Sequence, residues 1–262
     1  SNIFVEDFFD PMAAWRTARG DGFDWIVGNP PWVGSGEKGQ AHALAWMSQN
    51  KHRPVVNRRV AEAFAWEARD HLRTGGRAGL VVEGMTLFSD QDSFRKAFFK
   101  SISVESVTNL VNLRRELFDG RAEQPAAVLV YGPDGPLPRS TTCVYSPLLV
   151  NQTTTAASSS RRARVWTLCL NQSEVRVIPQ AELARGPALT FKLAMWGSPR
   201  DERLLQRLRA RRDETLGSLK TRGWVARQGV WRRPATAPNA EFVPELVGKS
   251  ALVRGALDKL QG

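Results

Sequence analysis

The residues with the clearest chemical potential are Asn29-Pro30-Pro31-Trp32. Each proline lacks an amide hydrogen and fixes its own φ, so the pair presents carbonyl oxygens with few competing donors, flanked by an amide side chain and an indole. Such a corner suits a flat, amino-bearing ring. The exocyclic amine of adenine is a poor nucleophile because its lone pair is delocalised into the ring. Two acceptors on its hydrogens would draw the nitrogen toward tetrahedral geometry and free that pair for attack on a methyl sulfonium. Asn29 Oδ1 and the Pro30 carbonyl are the candidate acceptors. Trp32 would hold the ring by stacking, worth roughly 1–3 kcal/mol per base. No strong general base is needed, because proton loss can follow methyl transfer. Read structurally, the same residues are a strand followed by a proline-rich turn with a core tryptophan.

The element that positions the corner is the apolar run Trp25-Ile26-Val27, the right length for one buried strand. Two consecutive prolines continue neither a sheet ladder nor a helix, so the chain must leave the strand at Asn29 in a rigid loop.

The tetrapeptide resembles the (Asn/Asp)-Pro-Pro-(Tyr/Phe/Trp) signature of S-adenosylmethionine-dependent amino-methyltransferases. Its setting resembles the gamma-class adenine-N6 DNA methyltransferases of restriction-modification and phage-defence systems. The resemblance implies S-adenosylmethionine as cofactor, double-stranded DNA as substrate, and a nuclease or other defence subunit as partner. It also implies an α/β fold: a partial doubly wound, Rossmann-like sheet with a terminal antiparallel hairpin, followed here by a basic C-terminal connecting region. In that family an Asp-Phe pair one strand before the corner binds the cofactor's adenine. Asp7 would accept a hydrogen bond from its amino group and Phe8 would stack on or pack against its ring, with Asn29 bordering the same pocket. A Phe at the tip of a later hairpin packs against the extruded base, and Phe118 matches it; the structural alternative is a core Phe. Arg114, Arg115 and Arg121 beside it could meet phosphates. Because adenine's amino group is inaccessible inside a duplex, the base would be flipped out beside Trp32 and Phe118.

The elements read in order are a buried strand ending in an acidic, aromatic turn over residues 2–11, the strand before Asn29, and a helix from Arg53 to a Gly75-Gly76 stop. Trp66 on that helix reads as a core or helix-packing residue, with ligand binding as the alternative. A strand over 77–85 follows, with Glu83 where relatives carry a proline. Next come a helix over 89–100 capped by Ser89 or Asp90 and a strand pair, 106–113 and 125–131, around Phe118. Thr141 to Val150, Val165 to Leu170 and Glu174 to Ile178 suggest short strands, and Pro199 to Arg212 a helix with Leu204, Leu205 and Leu208 on one stripe. Composition divides the chain into a partial catalytic domain (1–135), a linker or insert (136–164), and a basic connector or start of a target-recognition region (165–262).

Charge supports that division. Residues 1–135 carry 16 Lys/Arg against 17 Asp/Glu, whereas 136–262 carry 21 against 9. A neutral half joined to a basic half fits a polyanion held by one part and processed by the other. Cys143, Cys169 and three scattered histidines lack metal-ligand spacing, so no metal is expected. No apolar run reaches about 18 residues and no charged-then-apolar leader is present, so the expectation is a cytoplasmic chain without a membrane span.

The family's glycine-rich cofactor loop should precede Asp7 by several dozen residues. Gly34-Ser35-Gly36-Glu37-Lys38-Gly39 satisfies G-x-G-x-x-G but follows the Pro-Pro corner instead of a first strand, and reads as a loop. The expectation is therefore an N-terminally truncated fragment that is inactive alone and binds cofactor poorly. Two other readings stay open. Glutamine-N5 methyltransferases of release factors also carry Asn-Pro-Pro-aromatic, and a non-catalytic DNA-binding or scaffold piece would keep the corner without the chemistry.

Overall fold

The computed structural model describes residues 3–18, 20–33, 40–113, 124–155, 163–210 and 222. Ser1–Leu205 form one compact unit and Gln206–Gly262 another. Among the described residues the helices are α1 (Ala14–Ala18), α2 (Ala41–Gln49), α3 (Val60–Asp70), α4 (Met85–Phe88), α5 (Ser93–Ser101), α6 (Gln180–Arg185), α7 (Ala188–Trp196) and α8 (Pro199–Ala210). The strands are β1 (Phe23–Gly28), β2 (Leu72–Glu83), β3 (Val104–Asn109), β4 (Ala126–Tyr131), β5 (Thr141–Tyr145), β6 (Leu148–Thr155), β7 (Ala163–Cys169) and β8 (Arg176–Pro179).

Six strands make an open mixed sheet in the order β1-β2-β4-β3-β5-β8, and β6 and β7 form a separate antiparallel pair. β1 runs parallel to β2 and β3 parallel to β5, whereas β4 is antiparallel to both β2 and β3. The carboxyl ends of β1, β2, β3 and β5 therefore share one edge of the sheet. The antiparallel pair expected around Phe118 is present as β3 and β4, with β4 inserted between β2 and β3. The sheet then continues through β5 and β8, which lie in the stretches read as linker and connector.

The core lies between the sheet and α3 with α5. Ala78, Leu80 and Val82 alternate along β2 as buried residues, as expected when one face is packed. On α3 the small residues Ala61, Ala63, Ala65 and Ala68 are buried and let the helix lie close to the sheet. Tyr131 on β4 donates its hydroxyl to Ala65 O at 2.8 Å, and its ring meets Phe98, which meets Trp66. Trp66 is 3% exposed and donates its indole N–H to Pro54 O.

Several expectations are corrected. The run read as a buried strand, β1, ends the strand order among the described residues, and its Trp25 and Val27 are exposed. The helix read over 89–100 runs Ser93–Ser101, and its N-cap residue is Asp92 instead of Ser89 or Asp90. Residues 3–7 form no strand, and Ile3 and Val5 are 83% and 98% exposed. An extended segment becomes a strand only when a neighbouring strand pairs with it in a ladder, and among the described residues no ladder includes residues 3–7. The helix read from Arg53 begins only at Val60 and ends at Asp70. Pro54 and two successive residues with positive φ, Asn57 (50°) and Arg58 (54°), hold the chain out of right-handed helix until then.

Candidate active site

Asn29 to Trp32 leave the end of β1 at the shared carboxyl edge, because the prolines cannot continue the ladder with β2. Asn29 and Pro31 are exposed, Pro30 is buried and Trp32 is half-buried. The Trp32 indole N–H donates to Val81 O at 3.2 Å, which fixes the ring against β2. The next residue, Val33, accepts at its carbonyl from the Val60 N–H at 3.1 Å and so ties the corner to the first turn of α3.

Asp7 and Phe8 are held near the same helix. The Phe8 ring stacks on Phe64 of α3 at 3.7 Å between centroids and on Trp15 at 5.3 Å on its other side. With both faces covered, the ring has only its edge to offer a ligand. Asp7 Oδ1 accepts from Phe9 N at 2.8 Å, while Oδ2 lies 3.5 Å from His42 Nδ1 at the surface. Oδ2 is thus an accessible acceptor, which fits a ligand amino group; the covered faces of Phe8 fit an edge contact and not a stack. The corner meets α3 at the Val60 N–H and Phe8 meets it at the Phe64 ring, four residues and roughly 6 Å of helix rise apart.

The Phe8 segment is anchored by a buried carboxylate. Glu67 Oε1 accepts from Arg16 Nη2 at 2.9 Å and lies 3.0 Å from His71 Nε2, and Oε2 accepts from Trp46 Nε1 at 2.5 Å. Arg16 also donates to Phe8 O and Asp10 O. Burial acts to raise the Glu67 carboxyl, but hydrogen bonds from His71, Arg16 and Trp46 overcome it and hold the group down at about 2.

Next to the corner, Arg59 lies between two carboxylates, with Nη1 3.5 Å from Glu62 Oε1 and Nε 3.5 Å from Glu83 Oε2. Glu62 is 1% exposed and accepts the Val56 N–H at 2.7 Å. Burial pushes its carboxyl up to about 7, against the opposing pull of Val56 N–H, Arg59 and Thr86. Glu83 is the last residue of β2. After it, Gly84 packs so tightly that an added Cβ would lie 2.8 Å from Phe88 Cε2 and 3.1 Å from Pro125 Cβ.

Phe118, Arg114, Arg115 and Arg121 lie outside the described residues, as does the loop 34–39. Arg16, Arg59, Glu62 and Glu67 were missed by the sequence reading. For the two glutamates a signal existed, since both interrupt the apolar face of a helix. Among the described residues no group of three or more His, Cys, Asp or Glu side chains could hold a metal, and no helix is long and apolar enough to cross a membrane.

Residues 3–118 match the Eco57I restriction-modification methylase family. No curated protein matches the chain. Similar solved structures include a modification subunit of a putative type I restriction enzyme from Vibrio vulnificus YJ016, at 20% identity and a TM-score of 0.38, over 55% of this chain and 28% of that one. Another is the type I restriction-modification methyltransferase subunit from Streptococcus thermophilus, at 18% identity and a TM-score of 0.40, over 53% and 29%. A third is the M protein of the type I restriction enzyme EcoKI, at 18% identity and a TM-score of 0.33, over 48% and 25%. The chain spans less than a third of each of these proteins.

Proposed function

From the match of residues 3–118 to the Eco57I restriction-modification methylase family, we infer that the chain carries the base-side corner of a DNA methyltransferase that modifies the exocyclic N6 of a flipped-out adenine. The observation that carries this reading is the exposed Asn29 amide at the carboxyl edge of the parallel strands, on a corner whose Trp32 is pinned to Val81 O. Open α/β sheets bind ligands at that edge.

In the proposed reaction S-adenosylmethionine supplies a methyl group bound to a cationic sulfur. Asn29 Oδ1 and Pro30 O accept the two hydrogens of the adenine amine and localise its lone pair on nitrogen. That pair forms the N–CH3 bond as the S–CH3 bond breaks, the sulfur keeps the bonding electrons, and the extra amine proton leaves to water. Trp32 holds the flipped base by stacking. Asp7 Oδ2 would take the cofactor's amino hydrogen, with the edge of Phe8 against its ring. Phe118 would pack against the base, and Arg114, Arg115 and Arg121 would meet phosphates. A nuclease or other defence subunit is the proposed partner.

The test is methyl transfer in the full natural protein, with labelled cofactor offered an adenine-containing duplex or a release factor. N6-methyladenine that disappears in Asn29→Ala while duplex affinity is kept supports the reading. Label on glutamine would move the assignment to protein methylation, and label in neither substrate with duplex binding retained would make this a binding scaffold.

A further inference from the structure

We propose that the groove between α5 and α6 is a docking site for an acidic, apolar peptide segment of a partner protein. The groove has a volume of about 740 Å³ and lies by the segment 136–138 that leads into β5. Its floor is apolar, with Phe99, Ala97, Ala184 and Leu137, the last 76% exposed. Its rim is cationic, with Lys96, Lys100 and Arg185.

Lys96 and Lys100 recur on α5 at helical spacing with Ser93 and Ala97, so they share the face that lines the groove. Lys96 is paired with Asp92 at 3.0 Å. Among the described residues Lys100 and Arg185 have no carboxylate within ion-pair distance, and Arg185 donates only to Ala181 O of its own helix. Two uncompensated cations over an apolar floor call for a ligand that brings both carboxylates and hydrophobic side chains.

The walls are fixed in advance, which lowers the entropic cost of binding. Arg95, fully buried, donates from Nη1 to Leu183 O at 3.2 Å and Gly186 O at 2.9 Å, so α5 holds the end of α6. Gln180 donates to Phe99 O at 2.7 Å and accepts the Val104 N–H at 3.0 Å, which fixes the start of α6 to α5 and β3. The groove therefore does not have to form when the ligand arrives.

Charge and floor together select the occupant. A nucleic-acid backbone would satisfy the cations but leave the Phe99, Ala97 and Leu137 floor against phosphate and sugar, whereas apolar side chains fill it. The chain's own second half is a poor match, since residues 136–262 carry 21 Lys/Arg against 9 Asp/Glu. The groove sits at the amino ends of β3 and β5, and the Asn29 corner at the opposite edge of the sheet, roughly 20 Å away for a six-residue strand. A segment docked here would leave the corner open.

The experiment is fluorescence anisotropy with a labelled peptide alternating Asp or Glu with Leu or Phe. Its counterpart with Asn and Gln for the acids, and an unlabelled DNA duplex, serve as comparisons. The acidic peptide should bind and weaken with added salt, and the neutral one should not bind. Lys100→Glu with Arg185→Glu should weaken binding about tenfold, as expected for reversing two partly exposed charges. Leu137→Asp should weaken it as well, with the unfolding midpoint unchanged in both variants because all three side chains lie on the groove surface. Absence of acidic-peptide binding, or equal binding by the charge-reversed protein, overturns the proposal. So does a result in which the charge-reversed protein loses duplex affinity instead.

Discussion

Replacing Glu67 with Gln probes how the segment carrying Asp7 and Phe8 is held. The carboxylate takes hydrogen bonds on both oxygens, from Arg16, Trp46 and the His71 ring, at 2.5–3.0 Å. Its carboxyl is held at about 2 against an ordinary 4.5, a difference equivalent to roughly 3 kcal/mol. Because the folded value is depressed, that stability is present above about pH 4.5 and is lost as pH falls through about 2. Gln keeps the shape but turns two of its hydrogens toward groups that are themselves donors, and leaves Arg16 without its counter-charge. The expected cost at neutral pH is about 3 kcal/mol. Urea unfolding followed by circular dichroism, run from neutral pH down to about pH 2, should show the gap between the two proteins closing across that window. A loss below about 1 kcal/mol, or one that does not change with pH, would refute the account of Glu67 as an ionised hub.

Glu62 carries the opposite sign. Its folded value of about 7 lies above 4.5, so its contribution is complete below about pH 4.5 and is lost as pH rises through 7. Glu62→Gln should flatten that dependence and leave the variant up to roughly 3 kcal/mol more stable than the parent at alkaline pH, read from the same unfolding curves. Gly84→Ala should cost about 1–3 kcal/mol, because the methyl would press on Phe88 and Pro125; an unchanged melting temperature would count against the packing described. Trp32→Ala should weaken capture of the flipped base by roughly 1–3 kcal/mol, measured with 2-aminopurine at the target position, and equal fluorescence from both proteins would remove its stacking role.

The parts of the fold carried by neighbouring residues were legible in the sequence. The apolar run before Asn29 and the double proline after it located β1 and its end, although Trp25 and Val27 are exposed where a buried strand was expected, and Trp66, read as a core or helix-packing residue, is buried. Residues 3–5 show where such reading stops. Ile3-Phe4-Val5 has strand-like composition, yet strand formation depends on a ladder partner that composition does not contain. The membership of β5 and β8 in the main sheet is non-local in the same way, since each was recognisable as a short strand but not as a neighbour of β3 or of the other. In the candidate site, the sequence singled out Asn29 to Trp32 by residue type, and Asp7 and Phe8 by resemblance to a family pattern. The ion pair of Arg16 with Glu67 spans 51 residues, and no local pattern announces a partner at that distance. The occupied faces of Phe8 were hidden for the same reason, because Phe64 lies far along the chain on α3 and no local pattern sets it against Phe8.

The attachment of Val33 and Phe8 to one helix, α3, has a mechanical consequence. Two segments far apart along the chain are indexed to a common ruler, whose spacing is set by the pitch of the helix and not by the loops. A displacement of that helix carries both segments together and preserves the gap between them. Slack in either loop therefore changes how each segment is approached, but not how far one stands from the other.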